Sequence, residues 1–387
     1  MDAVVMPKIF ASLVLLFSVV ACNVPPKSTK NLFFSTQKEL SEKLLAVASE
    51  ANFNGFGVAL VDDKDVLFVG GFGMASLEPK QAYNEHTVQN IASVTKTLLG
   101  IALLKAQELG KLKLDDPVNN YLPFKVVHPQ FPDVPITLRQ LATHTSSIVD
   151  GESYLLKNIL LRDTILLKQN LALDISPTRF NPPDARMSFE QFLSNILDTK
   201  GIWYDADVFS AHQPGEIYVY SNTGAALAAL VVEKAMGMSY ADFTSTHILR
   251  PLSMNESGWT FETIDFSHYT HTFQTKQKPY PYYSLITYPD GGLLTTSTDM
   301  SKYILELFKS YYGNGTLLSR ESYKEYFTPQ LKDENFIDRS NNEYSDEYNM
   351  GITMGFSPNG NFAHYGGDPG LFSMIYFDVK SNVGKYY

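Results

Sequence analysis

Residues 91–110 read IASVTKTLLGIALLKAQELG. Placed on a helix, Val94, Leu98, Leu99, Ile101, Ala102, Leu103, Leu104, Ala106 and Leu109 cover almost every direction, so the spacing predicts a buried helix. Gly110 stands where such a helix would stop, at C′. A lysine in the first turn conflicts with this. Burial disfavours an ammonium, and so does the positive end of the helix dipole. Ser93 lies three residues before Lys96 on the same face, about 4.5 Å along the axis. A serine hydroxyl becomes a useful nucleophile when a base takes its proton, and a lysine disfavoured as a cation can be neutral enough to do so. The backbone N–H of Ser93, unpaired at a helix start, can face a developing oxyanion. Alone the pair is a weak signal: Ser35 and Lys38 repeat the spacing, and a lysine can snorkel to the surface.

Two further pieces bear on it. YSN at 220–222 puts a phenol and a carboxamide two apart at the entry to the helical run 222–237, with Asn222 as candidate N-cap and Gly237 as its stop. Beside a lysine ammonium the Tyr220 phenolate would be favoured, and Tyr220 could pass a proton between nucleophile and leaving group. Tyr-x-Asn is cheap, since YGN recurs at 312–314. HYGG at 364–367 is more selective: no other histidine begins an H-x-G. On an edge strand its glycines would let backbone approach a substrate closely, and the Gly367 N–H could be a second oxyanion donor.

S-x-x-K, Y-x-N and H-x-G in this order resemble the serine β-lactamase-like superfamily: class C β-lactamases, D-alanyl-D-alanine carboxypeptidases, D-aminopeptidases and related esterases. GKLKLDDPVNNYLP, ITLRQLATHTSSI, PGEIYVYSNTGAALAALVVEKAMGMSYADF, ILRPLSM and GGLLTTSTDMSKYI extend the resemblance over most of the chain. It implies that Ser93 is acylated, that Lys96 is its base partner, and that Tyr220 shares the base role and protonates the leaving group. It implies that Asn222 binds the acyl-side amide, and that His364 and Gly366 line the substrate, His364 standing where many members have a lysine. Ser93 and Gly367 would supply the oxyanion N–H groups. Which of Lys96 and Tyr220 takes the first proton stays open, because a coupled pair titrates as a unit. With a reference pKa of about 6.5, His364 would be mostly neutral near pH 7.5 and cationic on acidification, and would read a substrate carboxylate only then. That favours an esterase or aminopeptidase-like hydrolase over a β-lactamase or carboxypeptidase, with β-lactams kept as an alternative substrate. The rival is a catalytically silent binding or sensor protein on the same fold.

The chain has 387 residues, 44% hydrophobic and 19% charged, enough for a large core. Its net charge is −10, with no Lys/Arg run of the kind that marks a nucleic-acid face. Residues 1–21 read as a signal peptide, with Lys8 before the apolar run IFASLVLLFSVVA. That run ends in VVAC at Cys22, the chain's one cysteine, and the site resembles a bacterial lipobox. The expectation is an exported lipoprotein of the bacterial cell envelope, anchored through Cys22 at the outer membrane or facing the periplasm, with residues 22–33 as a tether. The partners expected are the membrane and a small-molecule or peptide substrate. No cofactor is expected, and no metal: His268 and His271 have a ligand-like spacing but no third ligand is evident. His144 in THTSS, Trp203 and Trp259 read as structural.

Strand-like segments at 55–63 and 65–73 and again near 361–378 bracket a mostly helical middle. This pattern predicts an α+β fold: one antiparallel sheet from both chain ends (34–92 and 285–387), flanked by helices, with an inserted helical subdomain at about 93–284. A helix is expected over 36–51 and a polar surface loop over 331–349. Relatives continue after the H-x-G strand with two more strands and a covering helix, whereas NVGKYY starts the second of these strands and the sequence stops at Tyr387. The expectation is marginal stability or association through that face.

Overall fold

A computed structural model describes residues 29–163, 180–342 and 345–387, with side chains from residue 36 onward. The readings of the signal-like run and of Cys22 lie outside the described residues. The first helix, α1 (Thr29–Glu50), begins earlier than expected and takes in part of the presumed tether, since no glycine or proline interrupts residues 29–50.

Both chain ends build one sheet. Strands β1 (Gly55–Val61), β2 (Val66–Ser76) and β3 (Gln81–Ala82) come first. Then β4 (Asn349–Met350), β5 (Gly355–Phe356), β6 (Phe362–Asp368), β7 (Leu371–Asp378) and β8 (Val383–Tyr386) follow. The order is β4-β5-β6-β7-β8-β1-β2-β3, antiparallel throughout. The join lies at β8, where Tyr386 faces Ala59 on one side and Ile375 on the other.

Strand alternation divides the apolar residues between two layers. Val58, Leu60, Phe68, Phe72, Met374 and Tyr376 pack with Leu40 and Leu44 of α1. Ala59, Val61, Ile375 and Phe377 face the opposite layer, where α6 (Ser297–Tyr311) supplies Ile304, Leu307 and Phe308. Leucines buried this way contribute roughly 1.5–3 kcal/mol each. The buried helix predicted from residues 91–110 is α2 (Lys96–Glu108), and Gly110 follows it at φ +68°. It packs on α5 (Asn222–Met236), itself buried along most of its length. Between them in sequence lie α3 (Leu138–Ala142) and α4 (Phe189–Leu197).

Three local readings change. Ser93 belongs to a 3-10 turn, Ala92–Thr95, and the α-helix starts at Lys96. The N-cap of α5 is Ser221, whose Oγ accepts from the Gly224 N–H at 2.9 Å, so Asn222 is the first helical residue. The stretch 331–349 is not all surface loop: Asp346 is buried beneath β6 and accepts from the Tyr365 N–H at 3.1 Å.

Candidate active site

The turn bearing Ser93 is held from two sides. Asn90 pairs with Leu294 in a short ladder, and the Ser373 hydroxyl of β7 donates to the Ile91 carbonyl at 2.6 Å. Between these anchors Ala92 is forced to φ +43°, the kind of strain a packed surrounding can hold at a functional site. On β6, a Cβ at Gly366 would fall 2.6 Å from the Ile91 carbonyl and 2.7 Å from the Ser93 nitrogen. Only glycine lets the strand pass this close. Among the described residues, nothing lies within 4 Å of the corresponding point at Gly367.

Lys96 is fully buried, while Ser93 keeps some exposure. Lys96 Nζ lies 3.0 Å from Ser93 Oγ, 2.6 Å from Asn222 Oδ1 and 2.5 Å from the Asp290 carbonyl. Three acceptors use all three protons of an ammonium; a neutral amine could instead accept the Ser93 proton over the same 3.0 Å. Burial lowers the lysine pKa, against the pull of the Asp290, Asp150 and Asp368 carboxylates.

The Tyr220 ring lies 5.2 Å from Lys96 Nζ. The sequence reading favoured its phenolate; burial overrules that and holds the phenol well above its ordinary range, with Ser93 opposing. Two histidines flank it, His144 at 4.4 Å and His364 at 6.3 Å between ring centroids. Their partners fix complementary tautomers. His144 Nδ1 accepts from the Ser221 N–H at 3.2 Å, which places the proton of its neutral ring on Nε2. His364 Nδ1 faces the Tyr365 carbonyl at 2.8 Å, which can only accept, so its Nε2 is bare. Among the described residues, both Nε2 atoms are buried without a hydrogen-bond partner, and the buried Tyr220 hydroxyl faces Ser93. His144, structural by the sequence reading, does brace the backbone before α5, and it also adjoins the centre of the site.

His364 requires a correction. Burial, then Lys96, lowers its pKa to about 3, so acidification to pH 5.5 does not make it the cation that the sequence reading expected. An NMR titration of ring nitrogens, assigned with His364→Gln, should show His364 neutral and Nδ1-protonated from about pH 8 to 5. A midpoint near the ordinary histidine value would contradict this.

Asn222 is oriented by a residue that sequence reasoning missed. Asp150 accepts from the Asn222 side chain (2.7 Å) and main chain (3.1 Å), and from the Thr223 N–H (2.8 Å) and hydroxyl (2.9 Å). A carboxylate on the first turn of α5 is favoured by the helix dipole and leaves the amide oxygen facing Lys96. Asp150→Ala should lower unfolding stability by about 2–4 kcal/mol, since several charge-assisted hydrogen bonds go at once. It should also cut kcat/KM by at least about tenfold through a misplaced Asn222. Unchanged chemical denaturation and kinetics would remove that role.

Other sequence candidates fall elsewhere. His271 bonds the Tyr282 hydroxyl at 2.8 Å and His268 sits in a separate 3-10 turn. Among the described residues, no cluster of three or more His, Cys, Asp or Glu could hold a metal. Trp259 is buried in the core and donates to Thr244 at 2.9 Å, while Trp203 packs edge-on against Phe192.

The sheet order, the inserted helices and the Ser93–Lys96–Tyr220 grouping define a β-lactamase-like serine hydrolase fold. The Beta-lactamase family model matches residues 38–386, and the chain belongs to that family, as a serine hydrolase of the β-lactamase-like superfamily. Penicillin-binding protein 4* of Bacillus subtilis (strain 168) is 25% identical over 367 residues, covering 90% of this chain and 70% of that protein. Two other curated relatives are spanned only in part, over 62% and 44% of their lengths. Among solved structures, the octameric penicillin-binding protein homologue from Pyrococcus abyssi superposes with a TM-score of 0.68 at 22% identity, covering 91% of this chain and 72% of that one. A class C β-lactamase superposes with a TM-score of 0.64 at 18% identity, covering 94% and 92%.

Proposed function

We propose that the protein hydrolyses an ester or amide through an acyl-enzyme on Ser93, with Lys96 as the first base. The observation that carries this is the 3.0 Å contact between Ser93 Oγ and a fully buried Lys96 Nζ. The opposed shifts of the two candidate bases support the order of proton transfer. Burial makes Lys96 easier to deprotonate and Tyr220 harder, so the resting proton sits on the phenol. Ser93 Oγ attacks the carbonyl carbon as its proton passes to Nζ, and the oxyanion is held by the N–H groups of Ser93 and Gly367. The carbonyl re-forms as the leaving group departs with a proton relayed through Tyr220. Water then attacks the acyl-enzyme, returning the acid and free Ser93. Asn222 orients the acyl-side amide.

A neutral His364 gives no permanent cation for a substrate carboxylate, which supports an esterase or a D-amino peptidase-like hydrolase over a carboxypeptidase. The test is pre-steady-state kinetics with p-nitrophenyl acetate and with a chromogenic cephalosporin. A burst of one product per chain, followed by slower turnover, is expected for the ester. No burst and no turnover with either would refute the reading.

We further propose that the protein is held at the cell envelope by a lipid on Cys22. The short apolar run ending in VVAC supports this. In the native host, Cys22→Ser should move the protein out of the membrane fraction; a wild-type protein already wholly soluble would count against the anchor.

A further inference from the structure

The face of β6 that meets Ser93 carries every second side chain, at His364, Gly366 and Asp368. Gly366 abuts the Ser93 amide, so His364 and Asp368 flank the serine from opposite sides, each about 7 Å along the strand from Gly366. His364 lies beside Tyr220. Asp368 is therefore on the side away from Tyr220, the acyl side when Tyr220 protonates the leaving group. None of the roles assigned above uses it.

Among the described residues, the side-chain donor that meets Asp368 is a neutral amide. Asn90 Nδ2 donates to Asp368 Oδ2 at 3.0 Å, while Asn90 Oδ1, on a residue 5% exposed, is buried without a partner among the described residues. While Asp368 is ionised the amide cannot be turned round, because its oxygen would then face the carboxylate. Asn90 also lines a cavity of about 30 Å³ with Trp259, Phe261, Tyr283 and Tyr288, and Asp368 is not among the residues that line it. A carboxylate beside a buried amide oxygen favours a small cation that can donate to both. Burial, then repulsion from Asp290, raises the Asp368 pKa to about 7, with Lys96 opposing. A bound ammonium would relieve both penalties.

We propose that Asp368 and Asn90 form a subsite for a primary ammonium, so that the preferred substrate is an ester or amide whose acyl group carries a free amine. This rests on the acyl-enzyme reading of Ser93. The p-nitrophenyl esters of 3-aminopropanoic acid and butanoic acid have equal chain length and differ by an ammonium for a methyl. With the full chain, and after subtracting spontaneous hydrolysis, kcat/KM should favour the amino ester by about tenfold or more, as expected for a partly buried charge pair. Asp368→Asn should reduce that ratio at least about fivefold, Asn90→Leu should also reduce it, and Asp368→Glu should retain most of it. The ratio corrects for any general loss of activity in a variant. A ratio near one in the wild type, or one untouched by Asp368→Asn, overturns the subsite. If the butanoate ester acylates Ser93 without any preference for the amine, the subsite fails and the hydrolase stands. If neither ester acylates Ser93, both fail.

Discussion

Replacing Ser93 with alanine should abolish acylation by activated esters, lowering kcat/KM by about four orders of magnitude or more, the scale on which a catalytic nucleophile is lost. The fold should survive. Ser93 is partly exposed, and its turn is pinned by groups other than its hydroxyl: the Ile91 carbonyl to Ser373, and the ladder between Asn90 and Leu294. Loss of Oγ removes one acceptor of Lys96, whose other two, Asn222 Oδ1 and the Asp290 carbonyl, remain. Unfolding transitions of wild type and Ser93→Ala should thus agree to within about 1 kcal/mol, as for a surface-accessible site without core packing. Labelling that persists in Ser93→Ala would place the nucleophile elsewhere.

Lys96→Met is the second large effect. Methionine keeps the apolar stem and removes the amine, so acylation should fall at least a hundredfold, within the range of about 10²–10⁴ that a positioned base supplies. Its pH profile is the sharper test. Only neutral Lys96 can take the serine proton, so the wild-type acylation rate should rise with pH and level off above an apparent pKa below the ordinary lysine value. Lys96→Met should lose that rise. Retention of both the rise and the amplitude would make Tyr220 the first base. Leaving Asn222 Oδ1 and the Asp290 carbonyl without their donor should cost about 1–3 kcal/mol in stability, partly offset because no ammonium is then desolvated.

The sheet built from both chain ends and the S-x-x-K helix were legible in sequence because they depend on short-range pattern. Alternation marks β1, β6 and β7, and an all-round apolar helix with a lysine in its first turn marks α2. What stayed hidden depends on tertiary placement. Asp150 meets Asn222 across 72 positions of sequence, and nothing local distinguishes it from a loop acid. The Asp290 contribution to Lys96 is a main-chain carbonyl, which any residue type would provide. The protonation of Tyr220 and His364 is not legible in residue type: reference pKa values and a neighbouring charge point one way, while burial, the larger effect at both, comes from tertiary placement. The N-cap of α5 was misplaced by one residue because Ser221 and Asn222 are both good caps, and Asp150 engages the second of them.

The central claim is a covalent acyl intermediate on Ser93, and intact-mass measurement of the acid-quenched protein tests it most directly. The full chain is mixed with a p-nitrophenyl ester for a time shorter than one turnover, quenched, weighed and digested. A single acyl increment is predicted, mapped to the peptide containing Ser93, absent from Ser93→Ala and strongly reduced in Lys96→Met. Product release from wild type with no increment at any quench time, or an increment mapped to another residue, would contradict it.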